Sequence, residues 1–349
     1  MSVRVLLEKN QCRLQSLNMR KLSLIHLSIL FLVAACNLPV ATPVPTPHLF
    51  QTMQASTPVA VDTAAPTTPV VEEPSEPTGK IAFTCQVFKE LEREQICMVN
   101  ADGTNYQRLT TEDATRHFYP SISPDGLSVL YSALDEQSKH YEIYEFDLAA
   151  GEPKALTFAL GDLNAPEVSP DGNSIAFTRF FDDPEHPTTW LMDRDGGNPR
   201  QVADVRAWDP TWSPDGTQIL FASYADGLSQ LFIINLDGSG LRQVSHLPAL
   251  RGRSDWSAAG LIVTYSGKPW ERELFSMNPD GSDLQQISPA GGNSQGPSFS
   301  PDGEWVAFTA YFDRFEVHGC EIYIMRVDGT DLRRLTDNDY CDYQPRWGP

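Results

Sequence analysis

Basic residues are scarce in this chain. Lys and Arg number 26 against 46 Asp and Glu, a net charge of −20. A surplus of that sign repels phosphate, and no basic block interrupts it, so nucleic acid and bare anionic lipid are not expected partners. Cysteine is also rare: 6 occur in 349 residues, and no pair shows Cys-x-x-Cys spacing. That absence argues against a zinc site. Long apolar runs are missing except for one near the start, Leu22 to Val33, which is too short for a comfortable membrane span. Proline and glycine, by contrast, are plentiful, with 27 and 23 copies. They imply many turns and few helices.

The apolar run belongs to "MRKLSLIHLSILFLVAAC", which opens on Arg20 and Lys21 and ends in Ala34-Ala35-Cys36. Basic start, apolar middle and small residues in that order read as an export signal, an ordinary signal or a lone anchor helix being the competing readings. The residues "LVAAC" resemble the lipobox of bacterial lipoproteins. The resemblance implies that Cys36 carries the lipid and becomes the first mature residue; two or more acyl chains hold a protein stably at a membrane. Met1 and Met19 both remain open as the start. Residues 1–35 are thus expected to be a leader. Their removal takes five basic residues (Arg4, Lys9, Arg13, Arg20, Lys21) and one acid (Glu8), leaving 21 basic and 45 acidic residues. Residues 36–78 are dominated by proline and threonine and carry no apolar period, so an extended tether is expected there.

From Gly79 onward the chain repeats itself. "YPSISPDGLSVLYS", "APEVSPDGNSIAFT", "DPTWSPDGTQILFA" and "GPSFSPDGEWVAFT" are variants of one phrase. A second marker ends at Gly103, Gly151, Gly196, Gly238, Gly281 and Gly329, at intervals of 48, 45, 42, 43 and 48 residues. Six units of about 45 residues have the length of four-stranded propeller blades. In each unit Ser-Pro-Asp-Gly has the residue types of a type I turn leading into a left-handed glycine. Its aspartates (Asp125, Asp171, Asp215, Asp302) are therefore turn residues before they are catalytic candidates. The strand after each turn is apolar at successive positions, which suits burial on both faces. The fold class expected is all-β: a six-bladed β-propeller of four-stranded antiparallel blades over residues 79–349.

The Ser-Pro-Asp-Gly and Asp-Gly phrases together resemble the WD-like repeats of the TolB family of propellers, across residues 79–349. Blade five departs, with "SDWSAAGLIVTYS" lacking Pro-Asp, and no counterpart of the family's separate N-terminal domain is recognised. The chain ends in "YQPRWGP", which matches an inner strand with nothing after it; "GKIAFT" matches a second strand with nothing before it. The C-terminus is expected to supply the inner strand of the first blade. Cys85 and Cys97 flank one hairpin, and Cys320 and Cys341 bracket the outer part of the last blade. The expected disulfides are 85–97 and 320–341, among three arithmetical pairings.

Function is less legible. Both short turns of a blade fall on one side of the ring, so variable loops occupy the other, and binding residues concentrate on such loops. His117, His140, His186, His246 and His318 all belong to that side, in different blades and without a shared carboxylate pattern; no metal or other cofactor is assigned. Just before the inner strands, His117, Tyr119, Asn164, Trp208, Asp209, Arg253, Gln295 and Tyr343 are placed by position around the axial mouth. Such a mouth could hold a glycan or peptide, or be a solvated funnel with packing aromatics. "GGNSQG" contains Gly-x-Ser-x-Gly (Gly292 to Gly296), but it falls in a blade-linking loop rather than at a strand-to-helix elbow. The leading expectation is a monomeric, lipid-anchored, extracytoplasmic module that binds an envelope protein, peptide or glycan without catalysis. The alternatives are a polysaccharide-active enzyme, since some related propellers are lyases using His and a metal, and an assembly role like that of TolB.

Overall fold

A computed structural model describes residues 75–88, 93–111, 115–180, 185–312 and 319–349. The leader, Cys36, most of the tether and His318 lie outside the described residues.

Six four-stranded antiparallel sheets form six blades, each ordered from the inside out. The inner strands are Asp342–Gly348 in blade one, then His117–Ile122, Asp162–Val168, Trp208–Trp212, Asp255–Trp256 and Gln295–Phe299 in blades two to six. The ring closes as its termini suggest. Asp342–Gly348 pairs with Lys80–Phe88, setting Trp347 opposite Ile81 and Arg346 opposite Ala82. The tail thereby covers an edge that would otherwise expose a row of unpaired backbone groups. Residues 75–78, assigned above to the tether, lie against the ring. Pro77 is buried, the Trp347 indole donates to the Thr78 carbonyl at 2.8 Å, and Arg333 meets Glu76 at 2.7 Å.

The core is divided among the contacts between blades. Second strands such as Trp305–Ala310 are buried at every position, so each blade offers one face to each neighbour. Six apolar clusters result, one per junction: Leu220, Leu231 and Ile262 join blades four and five, and Ile81, Phe83, Trp305 and Ile324 join blades six and one. Apolar burial contributes about 25 cal/mol per Å². No blade could collect that term alone.

Short turns hold the blade edges. In Ser213-Pro214-Asp215-Gly216 the Gly216 N–H donates to the Ser213 carbonyl at 2.9 Å, and Asp215 Oδ1 accepts from the Ser213 hydroxyl and the Thr217 N–H. The same bonds recur at Asp125, Asp171 and Asp302. Hydrogen bonds from the adjacent Ser and backbone hold the Asp125, Asp171 and Asp215 carboxyls below their ordinary value. Blade five still closes its turn, Gly260 N–H to Ser257 carbonyl at 2.9 Å, without the aspartate.

A second device ties third strands to outer strands. In blade two Glu142 accepts from the Thr157 hydroxyl at 2.7 Å, while Thr157 Oγ1 accepts from the Ile143 N–H at 2.9 Å. The pairs Gln95–Thr110, Gln230–Ser245, Glu273–Ser288 and Glu321–Thr336 repeat it. Only two outer residues of most blades pair as strand, so these side chains satisfy backbone groups the short edge leaves over.

Both expected disulfides are present, with Cα separations of 5.7 Å for 85–97 and 4.4 Å for 320–341. The second joins blade six to the residue preceding the closing strand. It spans the seam.

Candidate functional site

The axial site is built by one irregularity repeated around the ring. Five inner strands carry a proline near their start, and the residue before it takes a left-handed φ: Tyr119 at 55°, Ala165 at 51°, Asp209 at 53°, Gly296 at 56° and Gln344 at 57°. Pairing with the second strand slips at each of these places. A bulge of this kind re-aims a side chain, and left-handed backbone at a non-glycine residue costs about 1–3 kcal/mol. Blade five has Gly252-Arg253-Ser254 at the corresponding position. Its Gly252 has φ 116°, and an added Cβ would stand 2.6 Å from Asp209 Oδ2 and 2.8 Å from Trp208 Nε1. Only glycine lets blades four and five approach so closely.

The re-aimed side chains meet at the axis. A cavity of about 320 Å³ is lined by Tyr119, Asp209, Arg253, Tyr265, Gln295, Tyr311, Tyr343 and Gln344. A second, of about 340 Å³, shares Tyr119, Asp209 and Tyr265 and adds Asn164, Arg206, Trp208, Tyr224 and Arg251. Arg253, 5% exposed, reaches from blade five to blade two; its guanidinium lies 5.3 Å from the Tyr119 ring centre and donates to the Pro120 carbonyl at 3.0 Å. Asp209 Oδ2 accepts the Arg253 backbone N–H at 2.9 Å. Gln344 Oε1 accepts from the Tyr119 N–H at 3.1 Å and from Thr84 Oγ1 at 3.0 Å. Burial, with the nearby Arg346 charge, pulls the Arg253 guanidinium down to about 10, and burial pushes the Asp209 carboxyl and the Tyr119 hydroxyl up.

Two residues further along each strand, the axis is plugged. Arg346 Nη2 meets Glu167 Oε2 at 3.0 Å and the Ser254 carbonyl at 3.1 Å, and Nη1 lies 3.9 Å from Asp255 Oδ2. Glu167 also accepts from Thr211 Oγ1 at 2.7 Å, and Asp255 from Ser298 Oγ at 2.9 Å. Burial pushes the Glu167 carboxyl up, with the Arg346 charge opposing it. Beyond the plug, on the turn-bearing side, Pro124, Pro170, Pro214, Pro301 and Pro349 line a separate cavity of about 330 Å³.

The structure therefore joins Tyr119, Asp209, Arg253, Gln295 and Tyr343 in one cavity and places Asn164 and Trp208 in its neighbour. His117 is a correction. It is 3% exposed, packs 5.4 Å from the Tyr131 ring and lines a different cavity between blades one and two. Strand alternation would put His117 and Tyr119 on one side, but the bulge between Phe118 and Ser121 breaks that phase. Burial pulls the His117 imidazole down to about 4. Tyr265, Gln344 and the plug residues Glu167, Asp255 and Arg346 were not among the expected site residues. The signal for the plug lay in the repeat itself: charges stand where other blades have Ser or Thr, in "PEV", "SDW" and "PRW" against "PSI", "PTW" and "PSF".

The described histidines do not converge. His140 faces Asp162 at 3.3 Å, His246 faces Gln243, and His186 is exposed. Ser294 of the Gly-x-Ser-x-Gly phrase is fully buried in a blade-linking segment, its N–H donating to the Arg272 carbonyl.

The TolB β-propeller domain, PD40, matches residues 73–349. An uncharacterized protein of Agrobacterium fabrum is 29% identical over 140 residues, 39% of this chain and 46% of that protein. A TolB homolog of Chlorobium luteolum is 32% identical over 106 residues, 29% of this chain and 23% of the relative. Both alignments span less than half of the relatives' length. Among solved structures, TolB from Acinetobacter baumannii superposes with a TM-score of 0.68 at 22% identity, over 79% of this chain and 68% of that one. The match over most of the chain and the six closed blades agree: the protein belongs to the TolB β-propeller domain family.

Proposed function

We propose that the protein is an extracytoplasmic binding module, tethered to a bacterial membrane through Cys36, that presents its loop-bearing axial mouth to a protein, peptide or glycan of the cell envelope. The observation that carries this reading is the mouth itself. Strained backbone at Tyr119, Asp209 and Gln344 directs polar and aromatic side chains into adjoining cavities, while a buried ion cluster stops the channel behind them. Strain of this sort is retained where geometry matters more than stability. A blind, rigid, aromatic-rich pocket suits capture of a projecting group. Family membership supports an envelope setting, and the Leu-Val-Ala-Ala-Cys phrase supports the anchor.

The test is crosslinking and pull-down of the lipidated chain from its own envelope fraction, beside a Tyr119→Ala/Trp208→Ala variant. A partner retained by the parent and lost by the variant is the expected result. Turnover of an envelope glycan with no retained partner would reverse the ranking in favour of an enzyme.

A further inference from the structure

Several arginines in this acidic chain face carboxylates. Arg116 meets Glu94, Arg194 meets Glu145, Arg326 meets Glu304, Arg333 meets Asp331 and Arg346 meets Glu167. Outer-strand Arg200 and Arg242 instead bind carbonyls of the next blade, those of Leu236 and Pro279. Arg251, Arg253 and Arg272 differ. They sit together on the loop-bearing side of blade five, where the first two enter its inner strand and the third precedes its third strand.

Among the described residues none of the three has a carboxylate ion-pair partner. Arg251 is exposed, lines the second cavity and makes neither a hydrogen bond nor an ion pair with the described residues. Arg253 is almost wholly buried and lines the first cavity, with Nε unpartnered. Arg272 donates to Gln295 Oε1 and likewise leaves Nε unpartnered. All three charges act on the hydroxyl of Tyr265, which lines both cavities. Two carboxylates act on Arg253 from nearby: Asp209, which is engaged by the Arg253 backbone N–H, and Glu167, which is paired with Arg346. With 46 acidic against 26 basic residues, three neighbouring arginines with no ion-pair partner among the described residues leave a local positive excess in a negative molecule.

We infer that Arg251, Arg253 and Arg272 form a receptor for a carboxylate carried by the ligand of the axial mouth. The inference rests on the proposed binding role of that mouth. An Arg fork presents paired N–H donors that match the two oxygens of a carboxylate, and buried unpaired donors are satisfied when one enters. A single negative charge suits the pocket better than the two of a phosphate, because the adjacent Asp209 repels the second. The remainder of the ligand lies against Tyr119, Trp208 and Tyr224, whose faces accept flat or apolar groups.

The experiment titrates the full chain, followed by calorimetry, with two matched pairs. One pair is an N-acetylated tripeptide with a free C-terminal carboxylate and its C-terminal amide; the other is trigalacturonic acid and its trimethyl ester. One acid is expected to bind at least about tenfold more tightly than its uncharged counterpart, and more weakly as salt rises. The pair that shows the preference names the source of the carboxylate. An Arg251→Gln/Arg272→Gln variant with unchanged thermal unfolding is expected to lose the preference. The inference is overturned if acid and neutral forms bind alike, if neither acid binds, if inorganic phosphate competes as well as acetate, or if the variant keeps the preference. An envelope partner still captured by that variant would leave the broader binding role standing while removing the carboxylate receptor.

Discussion

Asp342 shows how a single carboxyl can set the acid–base behaviour of the ring closure. It is buried beside Glu321, with Oδ1 unpartnered, and burial pushes its carboxyl up to about 7, Glu321 adding to the effect and hydrogen bonds from Thr336 and Asn338 opposing it. The unfolded chain releases this proton near pH 4, so between about pH 4 and 7 the folded state holds the extra proton. Stability should then fall as pH rises through that window, by up to about 1.4 kcal/mol per pH unit from this group. Asp342→Asn is expected to flatten the fall in melting temperature between pH 5 and 8; parallel curves for variant and parent would show that the carboxyl is not involved. Arg346 makes the opposite demonstration. Arg346→Met leaves Glu167 and Asp255 at the axis without their cation, and a loss of about 3–5 kcal/mol in denaturant unfolding is expected. Asp342 was not distinguishable in the sequence from the charges around it. The repeat could flag both Glu167 and Arg346 as out of place, yet only the ring sets them 3.0 Å apart, from blades one and three.

Blade five is the element that departs from the pattern. Its Ser257-Ala258-Ala259-Gly260 turn keeps the backbone bond but lacks the carboxylate that gathers a hydroxyl and an N–H in four other blades. Ala259 is exposed, and the Leu261 N–H already donates to Ser257 Oγ, so Ala259→Asp should supply an acceptor for the Ser257 hydroxyl and stabilise the protein by about 0.5–1.5 kcal/mol, measured as a shift in the urea midpoint at constant slope. The same blade brings Gly252 and Arg253 where others have a left-handed residue before proline. Irregularity and candidate site thus coincide. Strands, short turns and blade order were legible because each unit states its own local rules: apolar runs, Pro, Asp, Gly. The bulges were not. A residue before proline disfavours the right-handed helical region on local grounds, but nothing local selects left-handed backbone at Tyr119 or Asp209. His117 was misplaced for that reason.

At the scale of the whole molecule, closure is the decisive event. Deleting residues 342–349 removes the inner strand of blade one, Arg346 of the plug and Trp347 of the seam cluster together. The truncated chain should lose its cooperative unfolding transition and associate through the bared edge of Lys80–Phe88, detectable by calorimetry and light scattering. A single sharp transition near that of the full chain would contradict this account of the seam. The sequence by itself determined the number of blades, their strand order and the tail that completes the first blade, because these follow from a unit of about 45 residues that recurs, and it offered the two disulfides as one of three pairings. Only the tertiary structure decided what the axis is. Arg253 touching blade two and Arg346 between Glu167 and Asp255 are relations between residues tens to hundreds of positions apart. Such contacts have no local signature. They come into being when six separately patterned blades are bent into one circle and their inner edges must share the same few ångströms of space.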